Sequence, residues 1–208
     1  APIRLRYDVS ASLRGKVLEG LSVLDWDHDD ERYEAEWTVT GPPALARRQR
    51  STGRLTPSGL APQRYAERLR SEQAVHFDRA GQRLVFSARH EPAPLPPAAQ
   101  DRLSALLQVG ALLHARPAAW SAGDTLALPV ATAQALEAWT FTVEGDEELQ
   151  LPGGTPRALH LVRLPNGEFA PRIDLWLDPR QAYAPVRLRL TLPLGDWIEH
   201  QWSGTDSP

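Results

Sequence analysis

Along most of this chain the apolar residues recur at every second position. Ile3, Leu5, Tyr7, Val9, Ala11 and Leu13 alternate with Arg4, Arg6, Asp8, Ser10 and Ser12, and a period of two places one set of side chains on a single face of a strand. Arg14-Gly15-Lys16 reads as a turn into a second strand over 17–26. The polar run 27–31 turns into a third strand, with Tyr33, Ala35, Trp37 and Val39 on one side. Turns this short connect neighbours antiparallel, so the chain opens as a meander.

After Gly41-Pro42-Pro43 the alternation weakens. The segments 47–55, 64–70, 73–77 and 83–88 are short and punctuated by Gly, Pro and Asp, as successive strands are. Residues 91–97 hold four prolines and read as an extended connection, because proline offers no donor to a sheet interior. Over 98–115 the period changes. Leu103, Leu106, Leu107, Gly110 and Leu113 follow helical spacing, Asp101, Ser104 and Gln108 take the other face, and Pro117 stops the helix. Strands then resume with Trp139, Phe141 and Val143, followed by 149–151, 158–164, 173–177, 186–194 and 197–202. Pro152-Gly153-Gly154 and Asn166-Gly167 supply the turns.

The pattern predicts one mostly-β domain over residues 1–208, with about eleven or twelve strands and one central helix. Strands and helices do not alternate as they do in parallel sheets. A large curled antiparallel sheet, or a partly open β-barrel, wrapped around the 98–115 helix meets these constraints.

Composition narrows the chemistry. With 208 residues the chain buries roughly 70% of its unfolded surface and needs no staple. It has no cysteine, which excludes thiolate metal sites, iron–sulfur clusters and cysteine nucleophiles. A net charge of −3 argues against a nucleic-acid partner, whose phosphates call for a basic excess. No run of about 18 apolar residues crosses a membrane. The sequence contains no methionine and starts Ala1-Pro2 directly before a strand. A cleaved signal peptide, or a membrane anchor followed by a linker, would give that start.

No motif commits the chain to catalysis, a metal or a cofactor. Asp25, Asp27, Asp29 and Glu36 fit the ligand spacing of a calcium loop, but Asp30 stands where the turn wants glycine and the flanks read as strands, so a solvated hairpin tip is expected. Six histidines are scattered without a metal-ligand pair; His76 and His200, inside strands, are expected to be structural. There is no nucleophile elbow, and Pro57-Ser58-Gly59 is a turn. The seven tryptophans stand out more. Trp37 and Trp139 share parity with apolar neighbours and read as core. Trp176 lies opposite the Ile173, Leu175, Leu177 face, and 197–202 carries Trp197 on one face with Ile198 and Trp202 on the other. A sheet apolar on both faces is either covered twice, by the helix and another layer, or presents a concave apolar surface to a ligand; on the second reading Trp176, Trp197 and Trp202 are the candidate wall of a binding groove.

Five strings in order, RSTGRLTPSGLAP (50–62), RSEQAVHFDR (70–79), QDRLSALLQVGALL (100–113), WTFTVEG (139–145) and PVRLRLT (185–191), together with Gln201-Trp202 and Gly204-Thr205, resemble the proteobacterial domain-of-unknown-function family 3108 over nearly the whole chain. The resemblance implies a periplasmic or membrane-anchored envelope protein of a Gram-negative bacterium, with no catalytic residues to carry over. Its β-rich shape is similar to the half-barrels of periplasmic lipid and lipoprotein carriers. The leading expectation is a non-enzymatic binder of a lipid, a lipoprotein segment or a peptide. The alternative is a docking module for another envelope protein, through exposed strand edges or the stretch Arg47, Arg48, Arg50 and Arg54. An uncharacterised hydrolase ranks last.

Overall fold

The computed structural model describes residues 2–206. The first meander runs β1 (Ile3–Leu13), β2 (Lys16–His28), β3 (Arg32–Thr40), β4 (Arg47–Thr56), β5 (Gly59–Arg68), β6 (Glu72–Asp78) and β7 (Arg83–Phe86), and ends in the two-residue β8 (Ala93–Pro94). Another two-residue strand, β9 (Gln100–Asp101), leads into α1 (Arg102–Ala115). The second meander follows: β10 (Thr125–Ala131), β11 (Leu136–Glu148), β12 (Arg157–Arg163), β13 (Arg172–Asp178), β14 (Ala184–Thr191) and β15 (Trp197–Asp206). β15 pairs antiparallel with β1, so both meanders belong to one sheet in the order β8 to β1, then β15 down to β9. The fold is mostly β, a single curled and unclosed sheet with one helix, as the alternation predicts.

Its two edges, β8 and β9, are consecutive in the chain and are separated only by residues 95–99. Side chains bridge the gap: Gln134, in the β10–β11 turn, donates to Gln73 of β6 at 3.2 Å, and Arg89 donates to the Gln134 carbonyl at 3.4 Å. Inward-facing residues of both meanders form one core with Leu103, Leu106, Val109 and Leu113 of α1. On β1 Leu5, Tyr7, Val9 and Ala11 are buried and Arg4, Arg6 and Asp8 are exposed, which is the parity read from the sequence.

Three readings are corrected. The helix begins at Arg102 rather than 98, because Gln100 and Asp101 pair in parallel with Val130 and Ala131 of β10. Strand β10 was hidden by Pro129, which pairs with Ala138 on one side and lies beyond the two-residue reach of β9 on the other, so its missing donor interrupts no ladder. Residues 149–151 form no strand; Leu151 makes an isolated bridge to Gly154.

Candidate functional site

The helix fills much of the concavity, and buried polar side chains fix it there. Asp101 caps it: its carboxylate accepts from the Leu103 and Ser104 N–H groups at 2.9 and 2.8 Å, while the Ser104 hydroxyl accepts from the Asp101 N–H at 2.9 Å. Ser51 of β4 donates to the same carboxylate, and burial pushes the Asp101 pKa up to about 6. Gln108 accepts from the Leu60 N–H of β5, and Gln100 donates to the Leu60 carbonyl, each at 2.7 Å. On the opposite side a Cβ at Gly110 would stand 2.6 Å from the Tyr183 carbonyl oxygen. Only glycine lets the helix lie this close to the turn at Ala182 and Tyr183, whose φ values are themselves positive.

Two pockets are walled in part by α1, one by Arg102 and Leu106 near its start and the other by Leu107, Gly110, Ala111 and His114 farther along. The larger, of about 250 Å³, is walled by Ile3, Leu5, Leu24, Trp26, Leu107 and Tyr183 among others, and is almost entirely apolar. The smaller, of about 80 Å³, has apolar walls from Trp37, Val39, Leu106, Trp139, Ile173 and Leu188, but Arg47, Gln49, Arg102 and His200 also reach it.

His200 is 5% exposed and sits edge-on to Trp37 at 5.1 Å. Burial, with the charge of Arg47 behind it, lowers its pKa to about 3, so the ring is neutral at physiological pH. Trp37 donates to Ser22 Oγ at 3.2 Å, and Ser22 lies 2.9 Å from His200 Nδ1. The serine hydroxyl, with two acceptor lone pairs and one donor, can thus hold the indole N–H and the imidazole Nδ1 together. The Ser22–His200 pair is no nucleophile and base, because a ring of such low pKa is too weak a base and Ser22 is buried.

The predicted groove residues do not wall either cavity. Trp176 is 5% exposed but faces the convex side, in a small separate cluster with Leu149, Ala158 and Val186. It stacks on His160 at 4.3 Å with ring planes 3° apart, donates to Glu147 at 2.6 Å and lies under the Arg187 guanidinium. The apolar face opposite Leu175 thus arises from the 149–154 segment folding over the outside of the sheet, the second covering layer that a strand apolar on both faces calls for. Trp202 borders this cluster as well as the core, and Trp197 lies under Arg189 at 4.4 Å, apart from the other two.

Other sequence candidates are accounted for by simple contacts. Asp25 pairs with Arg4, Glu36 with Arg48, and Asp29 accepts from the Glu31 and Arg32 N–H groups to close the hairpin. His200 is buried as expected, whereas His76 is exposed. The arginine stretch divides by parity: Arg48, Arg50 and Arg54 pair with Glu36, Glu34 and Glu31 across the outer face, and Arg47 turns inward. Pairing within the sheet leaves those three arginines little charge to offer a docking partner. The sequence singled out Arg47 only as part of a docking stretch, and Arg102 not at all. The signal for Arg47 was present, since it shares parity with Gln49 and the buried Ser51.

The family described as "Protein of unknown function (DUF3108)" matches residues 6–199. No curated protein matches the sequence. Among solved structures, the chain is similar to an exported protein of Bacteroides fragilis described as having a YmcC-like fold (10% identity, 99% of this chain and 95% of that one, TM-score 0.45). It is also similar to a Vibrio parahaemolyticus domain described as an outer membrane lipoprotein-sorting protein (9% identity, 99% and 85%, TM-score 0.34). A third similarity is to the Pseudomonas aeruginosa MucA/MucB complex (12% identity, 98% and 51%, TM-score 0.36).

Proposed function

This chain belongs to the DUF3108 family of proteins of unknown function, and from that membership we propose a non-enzymatic protein of the bacterial envelope that holds an apolar or amphipathic molecule inside its curled sheet. A lipid, a lipoprotein segment or an apolar peptide meets the description. The observation that carries the reading is the larger cavity of about 250 Å³ with its almost wholly apolar wall beside α1. Apolar wall left facing water forgoes roughly 25 cal/mol for each Å² that an occupant would cover. Concave apolar surface framed by fixed elements is the usual setting of a ligand site. The periplasmic location and the non-enzymatic reading rest on what the family resemblance implies, which carries over no catalytic residues.

Fluorescence titration with the neutral probe N-phenyl-1-naphthylamine tests the reading. Saturable binding at micromolar concentration is expected. Ala111→Trp, which places an indole at the mouth of the larger cavity from an exposed helix position, should weaken it by about tenfold or more while leaving the thermal midpoint unchanged. Absence of saturable binding, or an Ala111→Trp variant that binds as the parent does, would rule the reading out.

A further inference from the structure

The smaller cavity differs in kind from the larger one. Arg47, at the start of β4, and Arg102, the first residue of α1, both reach an otherwise apolar wall. Among the described residues the Arg47 guanidinium makes no hydrogen bond or ion pair. Arg102 approaches Glu67 only at 3.8 Å, and its buried Nε has no partner. Glu67 already accepts from Tyr65 at 3.1 Å, so one carboxylate stands against two guanidiniums. Behind the wall, Arg163 lies 4.7 Å over the Trp139 ring and 3.6 Å from Glu137, and its Nε too is buried without a partner. Arg163 is thus paired with Glu137, whereas Glu67, at 3.8 Å from Arg102, is the one carboxylate within 4 Å of either Arg47 or Arg102 among the described residues. His200 reaches the same cavity, with its Nδ1 held by Ser22 and no hydrogen bond at its Nε2 among the described residues.

We propose that this cavity is a second binding site, separate from the larger one, for a small amphipathic anion: a carboxylate or phosphate monoester carried on a short apolar body. The anionic group sits between Arg47 and Arg102, on the wall that His200 also lines, and the body lies against Trp37, Leu106, Ile173 and Leu188. A partly buried guanidinium without a full counter-charge gains most from an anion that completes its hydrogen bonds. Burial pulls the Arg47 pKa below its ordinary value, and the Glu67 carboxylate offsets this only in part while Arg102 adds to it. The bound anion supplies the missing charge. A cavity of about 80 Å³ admits a body of a few carbons, not a long chain, and its apolar wall disfavours a bare ion.

Calorimetric titration with hexanoate, hexyl phosphate, hexanol and inorganic phosphate separates the terms. Hexanoate or hexyl phosphate should bind saturably, and hexanol and inorganic phosphate each about tenfold or more weakly, since a charge-assisted hydrogen bond and an apolar contact would each be lost in turn. Arg47→Gln and Arg102→Gln should each weaken hexanoate by a similar factor, with Arg47→Lys restoring part of the loss. In the unmodified protein, hexanoate should slow phenylglyoxal modification of Arg47, read by peptide mapping, which keeps the test independent of how the variants fold. Equal binding of hexanol and hexanoate, equal binding of inorganic and hexyl phosphate, or an unprotected Arg47 would each overturn the proposal. Ala111→Trp should leave hexanoate binding intact, so failure at one cavity is not failure at the other.

Discussion

Ser51 on β4 donates its hydroxyl proton to the buried carboxylate of Asp101 at the start of α1, and Tyr33 in turn lies 3.0 Å from the Ser51 oxygen. This short relay ties the helix to the sheet through a carboxyl group whose pKa has moved from 3.8 to about 6 because it is buried.

A carboxyl that binds its proton more tightly when folded adds stability at low pH and loses it as the pH rises through the folded value. The Asp101 contribution is therefore full below about pH 4 and gone above about pH 6, with a span of roughly 3 kcal/mol at most. Asp101→Asn keeps an oxygen for the helix cap and removes the titration. Urea melts from about pH 4 to 7 should show the parent losing stability relative to the variant as the pH rises; parallel curves would refute the assignment.

His200 works in the opposite sense. Its folded pKa of about 3 lies below the ordinary 6.5, so its neutral form contributes stability above 6.5 that is lost as the pH falls toward 3. In an NMR titration the His200 ring signals should stay constant down to about pH 4, while an ordinary histidine titrates near 6.5. Movement of the His200 signals near pH 6 would contradict the buried, neutral ring.

Leu106 and Leu107 occupy successive positions on α1, about 100° apart around its axis, and meet different surroundings. Leu106 is buried in the core, and Leu107 is half-buried on the wall of the larger cavity. Leu106→Ala should cost about 2–5 kcal/mol, as buried leucine truncations do. Leu107→Ala should cost less and enlarge the space for a neutral probe. Equal losses in urea melts would show that the helix is not seated as described.

Trp176→Ala should destabilise the protein by about 3 kcal/mol or more, since it removes a buried indole. Because Trp176 lies on the convex side, the binding of N-phenyl-1-naphthylamine should be unchanged at temperatures where the variant is folded. A selective loss of probe affinity would restore Trp176 to the binding surface.

How far the sequence discloses this fold depends on which contacts are local. The parity of Leu5, Tyr7, Val9 and Ala11, and the helical spacing of Leu103, Leu106 and Leu113, express contacts that each element makes with the core, and these were legible. For Trp176 the sequence left a covering layer and a groove wall both open, because its cover, Leu149 and the turn that follows, comes from a segment with no period of its own. Arg47 and Arg102 were invisible as a pair because they are brought together by the return of α1 into the concavity, across more than fifty residues of chain. The inward parity of Arg47 was the one signal that set it apart from Arg48, Arg50 and Arg54.

The ladder between β1 and β15, with Leu5 opposite Thr205 and Ala11 opposite Ile198, bears on the order in which the molecule assembles. Within each meander every strand finds its neighbour a short turn away, whereas this one seam joins stretches nearly two hundred residues apart. Closing so large a loop costs chain entropy before any contact can repay it. The seam is thus expected to zip after the hairpins on either side have formed. Substitutions along it, such as Val9→Ala, should quicken unfolding and leave the refolding rate nearly untouched.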